Sequence, residues 1–150
     1  MKSVMLLIGA IVLVAPVGQP ARGADDSDQY KIHGTWQLVT TIQKGVETKI
    51  DASDDQPLVF TFEEQSFKVK CGPKESPVEK TGKYSLDSKQ TPKLLDLTIQ
   101  GDAAVTDASA IYKFEQNRLY IRIREDGGQH PPEFEVAADE AVTLVFRQVK

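Results

Sequence analysis

Apolar residues recur at every second position in eight separate stretches, and this spacing constrains the fold more than any other feature of the chain. Trp36, Leu38 and Ile42 mark the first stretch, and Leu58, Phe60 and Phe62 the second. Phe67, Val69 and Cys71 follow, then Tyr84 and Leu86, then Leu95, Leu97 and Ile99. Ala110, Tyr112 and Phe114, then Leu119, Ile121 and Ile123, and finally Val142, Leu144 and Phe146 complete the set. A period of two puts alternate side chains on one face of a strand, whereas a helix face needs a period near 3.6. Turn chemistry separates the runs: Glu63-Glu64-Gln65-Ser66 after the second and Gln116-Asn117 after the sixth. No stretch shows a long amphipathic helix; Asp107 to Ala110 and Ala137 to Ala141 each have room for one helical turn. Gly82 stands on the Tyr84 parity, where a missing side chain implies a bend or a close backbone approach. Eight consecutive strands with short links predict an all-β fold, an eight-stranded antiparallel up-and-down barrel. Closure would remove exposed edges and leave an interior just wide enough for side chains or one small ligand. A two-sheet sandwich of the same strands satisfies the periodicity equally well.

The chain starts with the features of an export signal. Met1-Lys2 is a short basic start, Val4 to Val14 is almost wholly apolar, and Ala21-Arg22-Gly23 carries small residues where a signal peptidase reads. Cleavage is expected after Gly23, with Ala24 close behind. An uncleaved membrane anchor is the competing reading, but the apolar run falls short of the ~20 residues a bilayer span needs. The resulting division is a signal peptide over 1–23, a flexible acidic leader over 24–32 and a barrel domain over 33–150, in a periplasmic or extracellular protein. Cleavage removes Lys2 and Arg22 and so lowers the formal net charge of −4 by two. That sign argues against nucleic acid or anionic lipid as a partner. Cys71 is the single cysteine, so no internal disulfide can form, and its place in the Phe67, Val69 alternation makes it a core residue.

Little in the sequence speaks for catalysis. His33 and His130 belong to no nucleophile pattern, and with Cys71 they are too few for a zinc site. Asp51, Asp54 and Asp55 lack the glycine and terminal glutamate of a calcium loop and read as a solvated turn. No glycine-rich phosphate loop is present. The expectation is therefore no enzyme activity, no metal and no cofactor. Arg118, Tyr120, Arg122 and Arg124 alternate with Leu119, Ile121 and Ile123, which predicts a water-facing arginine stripe. Arg122 and Arg124 could receive an anionic partner there; cross-strand ion pairs are the plainer reading.

The opening Gly34-Thr35-Trp36-Gln37-Leu38-Val39 resembles the start of the lipocalin-like domains found in exported proteins of planctomycetes, a family of uncharacterised function. Further segments match in order: Phe60-Thr61-Phe62 with Phe67-Lys68-Val69, Gly82 to Asp87, Pro92 to Thr98, Ala110 to Phe114 with Asn117-Arg118-Leu119, and His130 to Phe134. The resemblance spans about residues 33 to 149. His130 and Ile123 depart from it, standing where relatives carry Arg and Cys. The resemblance implies a lipocalin-like, calycin-type barrel and an export route, with no established substrate. It further implies that Gly34, Trp36 and Arg147 form the barrel's closed end, with the Arg147 guanidinium packing across the Trp36 ring; an ordinary solvent-facing Arg147 is the alternative.

The remaining question is the barrel interior. Its predicted wall includes Trp36, Leu38, Phe60, Phe62, Phe67, Val69, Tyr84, Leu97, Tyr112, Phe114, Leu119, Ile121 and Leu144. Trp36, Phe60, Phe62, Tyr84, Tyr112 and Phe114 are the candidate ligand contacts, with the Tyr84 or Tyr112 hydroxyl offered to a small apolar molecule. The alternative is a solid core, in which the domain contacts other envelope proteins through loops such as Gly127 to Pro132.

Overall fold

A computed structural model of the chain describes residues 26–51, 53, 55–101, 105–124, 128–135 and 140–150. The expected signal segment 1–23, Asp54 and Gly127 lie outside the described residues. Among the described residues one short helix, α1 (Asp26–Ile32), leads into nine antiparallel strands. These are β1 (Gly34–Gln43), β2 (Val46–Lys49), β3 (Val59–Phe62), β4 (Ser66–Cys71), β5 (Val78–Asp87), β6 (Lys93–Gln100), β7 (Val105–Glu115), β8 (Arg118–Arg124) and β9 (Ala141–Val149). Each strand pairs with the next from β3 to β9, and β1 closes the circle by pairing with β9 on one side and β3 on the other. The barrel is thus eight strands, with β2 added outside it.

The ninth strand arises from how β1 divides its second edge. Gly34 to Gln37 pair with β3, whereas Thr40 to Gln43 pair with β2 through a hairpin at Lys44-Gly45. Both turn residues have positive φ (50° and 76°), the twist that two-residue hairpins favour. Gln116 and Asn117 (50° and 60°) repeat that turn between β7 and β8, where the sequence placed one. Asp107 to Ala110 are continuous strand in β7, not a helical turn, because they pair along β6 from Thr98 to Leu95. Residues 136–139 fall outside the described residues, so of the other candidate turn only Glu140 and Ala141, the first residue of β9, are described.

The inward parity of seven of the eight apolar runs is as the alternation predicts. The exception is in β1. The register with β9 slips between Leu38 and Thr40, so Leu38 faces Phe146 but Thr40 faces Val145. That bulge reverses parity beyond Val39. Thr41, opposite Leu144, therefore turns inward, and Ile42, opposite Thr143, turns outward. Gly82 lies under the Phe67 ring: a Cβ there would stand 2.3 Å from the Thr98 carbonyl oxygen and 2.7 Å from Phe67 Cε1. This is the close approach its position implied.

Strand β8 also departs from the simple alternation. Arg122 is 4% exposed and donates to Thr143 Oγ1 at 2.9 Å on β9, so it is part of a covered outer face rather than a solvated stripe. Ile111 and Val145 are buried on that face too. Residues 128–135 lie against it: Pro131 is buried, His130 Nε2 is 2.8 Å from Asp96 Oδ1, and Lys113 Nζ sits 5.0 Å from the Phe134 ring.

Candidate functional site

Helix α1 seals one end of the barrel, and this corrects the expected flexible leader over that stretch. Asp28 and Ile32 are four residues apart, hence on one helix face, and both are buried. The Asp28 carboxylate accepts from Tyr112 Oη at 2.9 Å and from Lys93 Nζ at 2.6 Å. Burial alone would push its pKa up. The hydrogen bonds from Lys93 and Tyr112 and the charges of Lys93 and Lys31 outweigh that and hold it below the usual carboxylate range. Lys31, in the last turn, suits the negative end of the helix dipole. The helix stops at Ile32, and Gly34, with φ of 116°, turns the chain into β1.

Around this plug the lower half of the interior is solid. Trp36, Phe62, Phe67, Tyr84, Leu95, Tyr112, Leu119 and Phe146 are all buried. Their rings pack on one another: Phe62 meets Tyr84 edge-on at 5.1 Å, Phe60 meets Phe146 edge-on at 5.2 Å, and Phe60 stacks on Phe62 at 5.7 Å. Tyr112 meets Phe114 edge-on at 5.9 Å. The candidate contact residues are therefore brought together, but as packed filling at the closed end. Both tyrosine hydroxyls have protein partners. Tyr112 bonds Asp28, while Tyr84 donates to the Glu63 carbonyl at 2.7 Å and accepts from Gln29 Nε2 at 2.8 Å. Burial pushes the Tyr84 pKa up to about 12, against a small lowering from Gln29.

The closed end is held by Gly34 and Trp36 in a way the sequence only partly implied. Trp36 Nε1 donates to the Ile32 carbonyl at 2.7 Å, which ties β1 to the end of α1. Its ring is tilted against Phe114 at 6.1 Å. Arg147 does not stack on it: Arg147 has the outward parity, opposite Gln37 and Arg118, and is exposed. Among the described residues, the cation over aromatic rings is Lys113, against Tyr120 and Phe134.

The upper half of the barrel differs. Leu58, Val69, Ile99, Ala108, Ile123 and Leu144 come from six strands or their leads and have the same parity as the core below. All six are only partly buried although they pack against that core. Small side chains at Ala108 and Ala110 keep the β7 wall low. Thr41 and Cys71, also inward, are half-buried, and Lys80, across from Val69, is exposed at the rim. This is an apolar cup, floored by Phe60, Leu97, Ile121 and Phe146 and facing away from α1. Among the described residues no group of His, Cys, Asp and Glu has a metal-binding arrangement.

No protein-family model matches the chain, and no curated protein matches it. Among solved structures it is similar to a lipocalin-like protein from Bacteroides uniformis ATCC 8492, at a TM-score of 0.53 and 16% identity, covering 79% of this chain and 99% of that one. An uncharacterized protein from Bacteroides eggerthii DSM 20697 aligns at 0.49 with 16% identity, covering 78% and 98%. A mutant of the fluorescent protein UnaG aligns at 0.40 with 12% identity, covering 81% and 98%. The fold is lipocalin-like: a closed, eight-stranded antiparallel barrel with one extra strand.

Proposed function

We propose that this is an exported binding protein that holds a small apolar molecule in the cup opposite α1 and catalyses no reaction. One observation carries the reading. Six inward-facing apolar side chains at one end of the barrel keep contact with solvent, while the other end is packed around aromatic rings, with Leu86 and Phe114 half-buried there. A domain needing only a stable core would gain by filling the upper half as well. A concave apolar wall with few polar groups is what a small apolar ligand needs. Thr41 and Lys80 are the polar groups nearest to orient one. The apolar segment Val4 to Val14 supports export to the periplasm or beyond, and the ordered motifs support kinship with the exported planctomycete domains.

Native mass spectrometry of the protein purified from its own host tests this. The expected spectrum shows a chain shortened at Gly23 or Ala24 with an apolar adduct, and the adduct is absent from Ala108→Phe, which fills the cup. An adduct-free parent that also fails to bind added 1-decanol would refute the binding role.

A further inference from the structure

A second concave site lies outside the barrel, at the closed end. It is a groove of about 770 Å³ between α1, the β7–β8 turn and the end of β9. Tyr30, Trp36 and Phe114 supply its aromatic surface, and Lys31, Arg147 and Lys150 its positive charge. Tyr30 is 74% exposed, an unusual position for a tyrosine, and its ring meets His33 edge-on at 6.3 Å. The one carboxylate in the lining, Glu115, is held by Lys113 Nζ at 2.9 Å.

The strand register adds an independent oddity. Arg147 on β9 stands directly opposite Arg118 on β8, both exposed on the outer face, and on its other side Arg118 stands opposite Glu115 of β7, whose carboxylate is held by Lys113. Like charges directly opposite on an antiparallel pair repel, with Cβ atoms only ~5 Å apart. Among the described residues neither guanidinium has an ion-pair or hydrogen-bond partner. Two guanidiniums on neighbouring strands can each donate charge-assisted hydrogen bonds to one carboxylate. An anion there would relieve the repulsion, and the groove beside it offers a ring a surface of Phe114 and Tyr30.

We propose that this groove binds a small aromatic carboxylate, with its anionic group between Arg147 and Arg118 and its ring against Phe114 and Tyr30. The site is separate from the cup and stands or falls independently of it. Trp36, the single tryptophan, lines the groove and so reports on occupancy. The test is a titration of the mature protein with 2-naphthoate, read by Trp36 fluorescence. Saturable quenching is expected, weakened at least about tenfold in Arg147→Glu and in Arg118→Glu. It should weaken as salt is raised from ~50 to ~300 mM, and persist in Ala108→Phe, with the milder Ala108→Leu as a second cup variant. The neutral 2-naphthalenemethanol should bind at least about tenfold more weakly than naphthoate. Absence of saturable quenching, indifference to both charge reversals in folded variants, or equal binding of the neutral analogue would overturn the proposal. Loss of quenching in both cup variants would place naphthoate inside the barrel and overturn it too.

Discussion

Replacing Asp28 with alanine should destabilise the protein by about 2–4 kcal/mol. The side chain is 2% exposed and receives two donors, Tyr112 Oη at 2.9 Å and Lys93 Nζ at 2.6 Å. Hydrogen bonds to a charged acceptor contribute roughly 1.5–3 kcal/mol each, but the two are unequal here. Lys93 is 37% exposed and regains water when its partner is removed, so its share is discounted to about 1 kcal/mol or less. The Tyr112 hydroxyl is buried, so most of the loss falls on that contact. Lys93→Met should therefore cost far less than Asp28→Ala. The pH dependence has a definite sign. The Asp28 carboxyl sits below its unfolded value of about 3.9, so its stabilisation is complete above that pH and is lost as pH falls through the folded value. Urea unfolding of parent, Asp28→Ala and Asp28→Asn at pH 7 and pH 3 measures both effects. The variants should lose midpoint at pH 7 with an unchanged slope, and the gap to the parent should narrow at pH 3. An Asp28→Ala loss under about 0.5 kcal/mol at pH 7 would show that α1 is not docked on the barrel.

Three further outcomes follow from the same contacts. Gly82→Val should destabilise by about 1–3 kcal/mol in urea melts, because even its Cβ collides with the Thr98 carbonyl and the Phe67 ring. Trp36→Phe, which removes the hydrogen bond to Ile32 and part of a buried ring, should cost about 2 kcal/mol or more, while Arg147→Ala should change stability by less than about 0.5 kcal/mol. Ultraviolet titration should show one tyrosine ionising near pH 12, lost in Tyr84→Phe. Since that pKa is raised in the fold, its contribution is present below about pH 10 and declines as pH rises toward 12.

The barrel was legible because burial on one face leaves a direct trace in the alternation. Strands β3 to β9 each carry that trace, and the Gln116-Asn117 hairpin carries the turn that links two of them. Strand β2 left none: Val46 to Lys49 are all exposed, so no face was selected for apolar residues. The bulge near Val39 hid the inward role of Thr41, because one extra residue reverses parity without changing composition. Helix α1 was missed for a related reason. Of its described side chains only Asp28 and Ile32 are buried, and an acid at a buried position reads as solvent until Tyr112 and Lys93, distant in sequence, are seen to meet it. Arg122 misled in the same way, since its cover comes from the far side of the sheet. The inward-facing residues share one parity, but which of them fill the barrel and which line a cup depends on how α1 and the buried phenylalanine and tyrosine rings share the closed end. That is a property of packing, and no local pattern records it.

Methyl-resolved NMR during titration with 1-decanol tests most directly whether the interior divides into a filled half and an open half. Saturable shifts should concentrate at Leu58, Val69, Ile99, Ala108, Ile123 and Leu144, with Ile32, Leu95 and Leu119 nearly still. Shifts spread evenly over both groups, or none that saturate, would contradict that division.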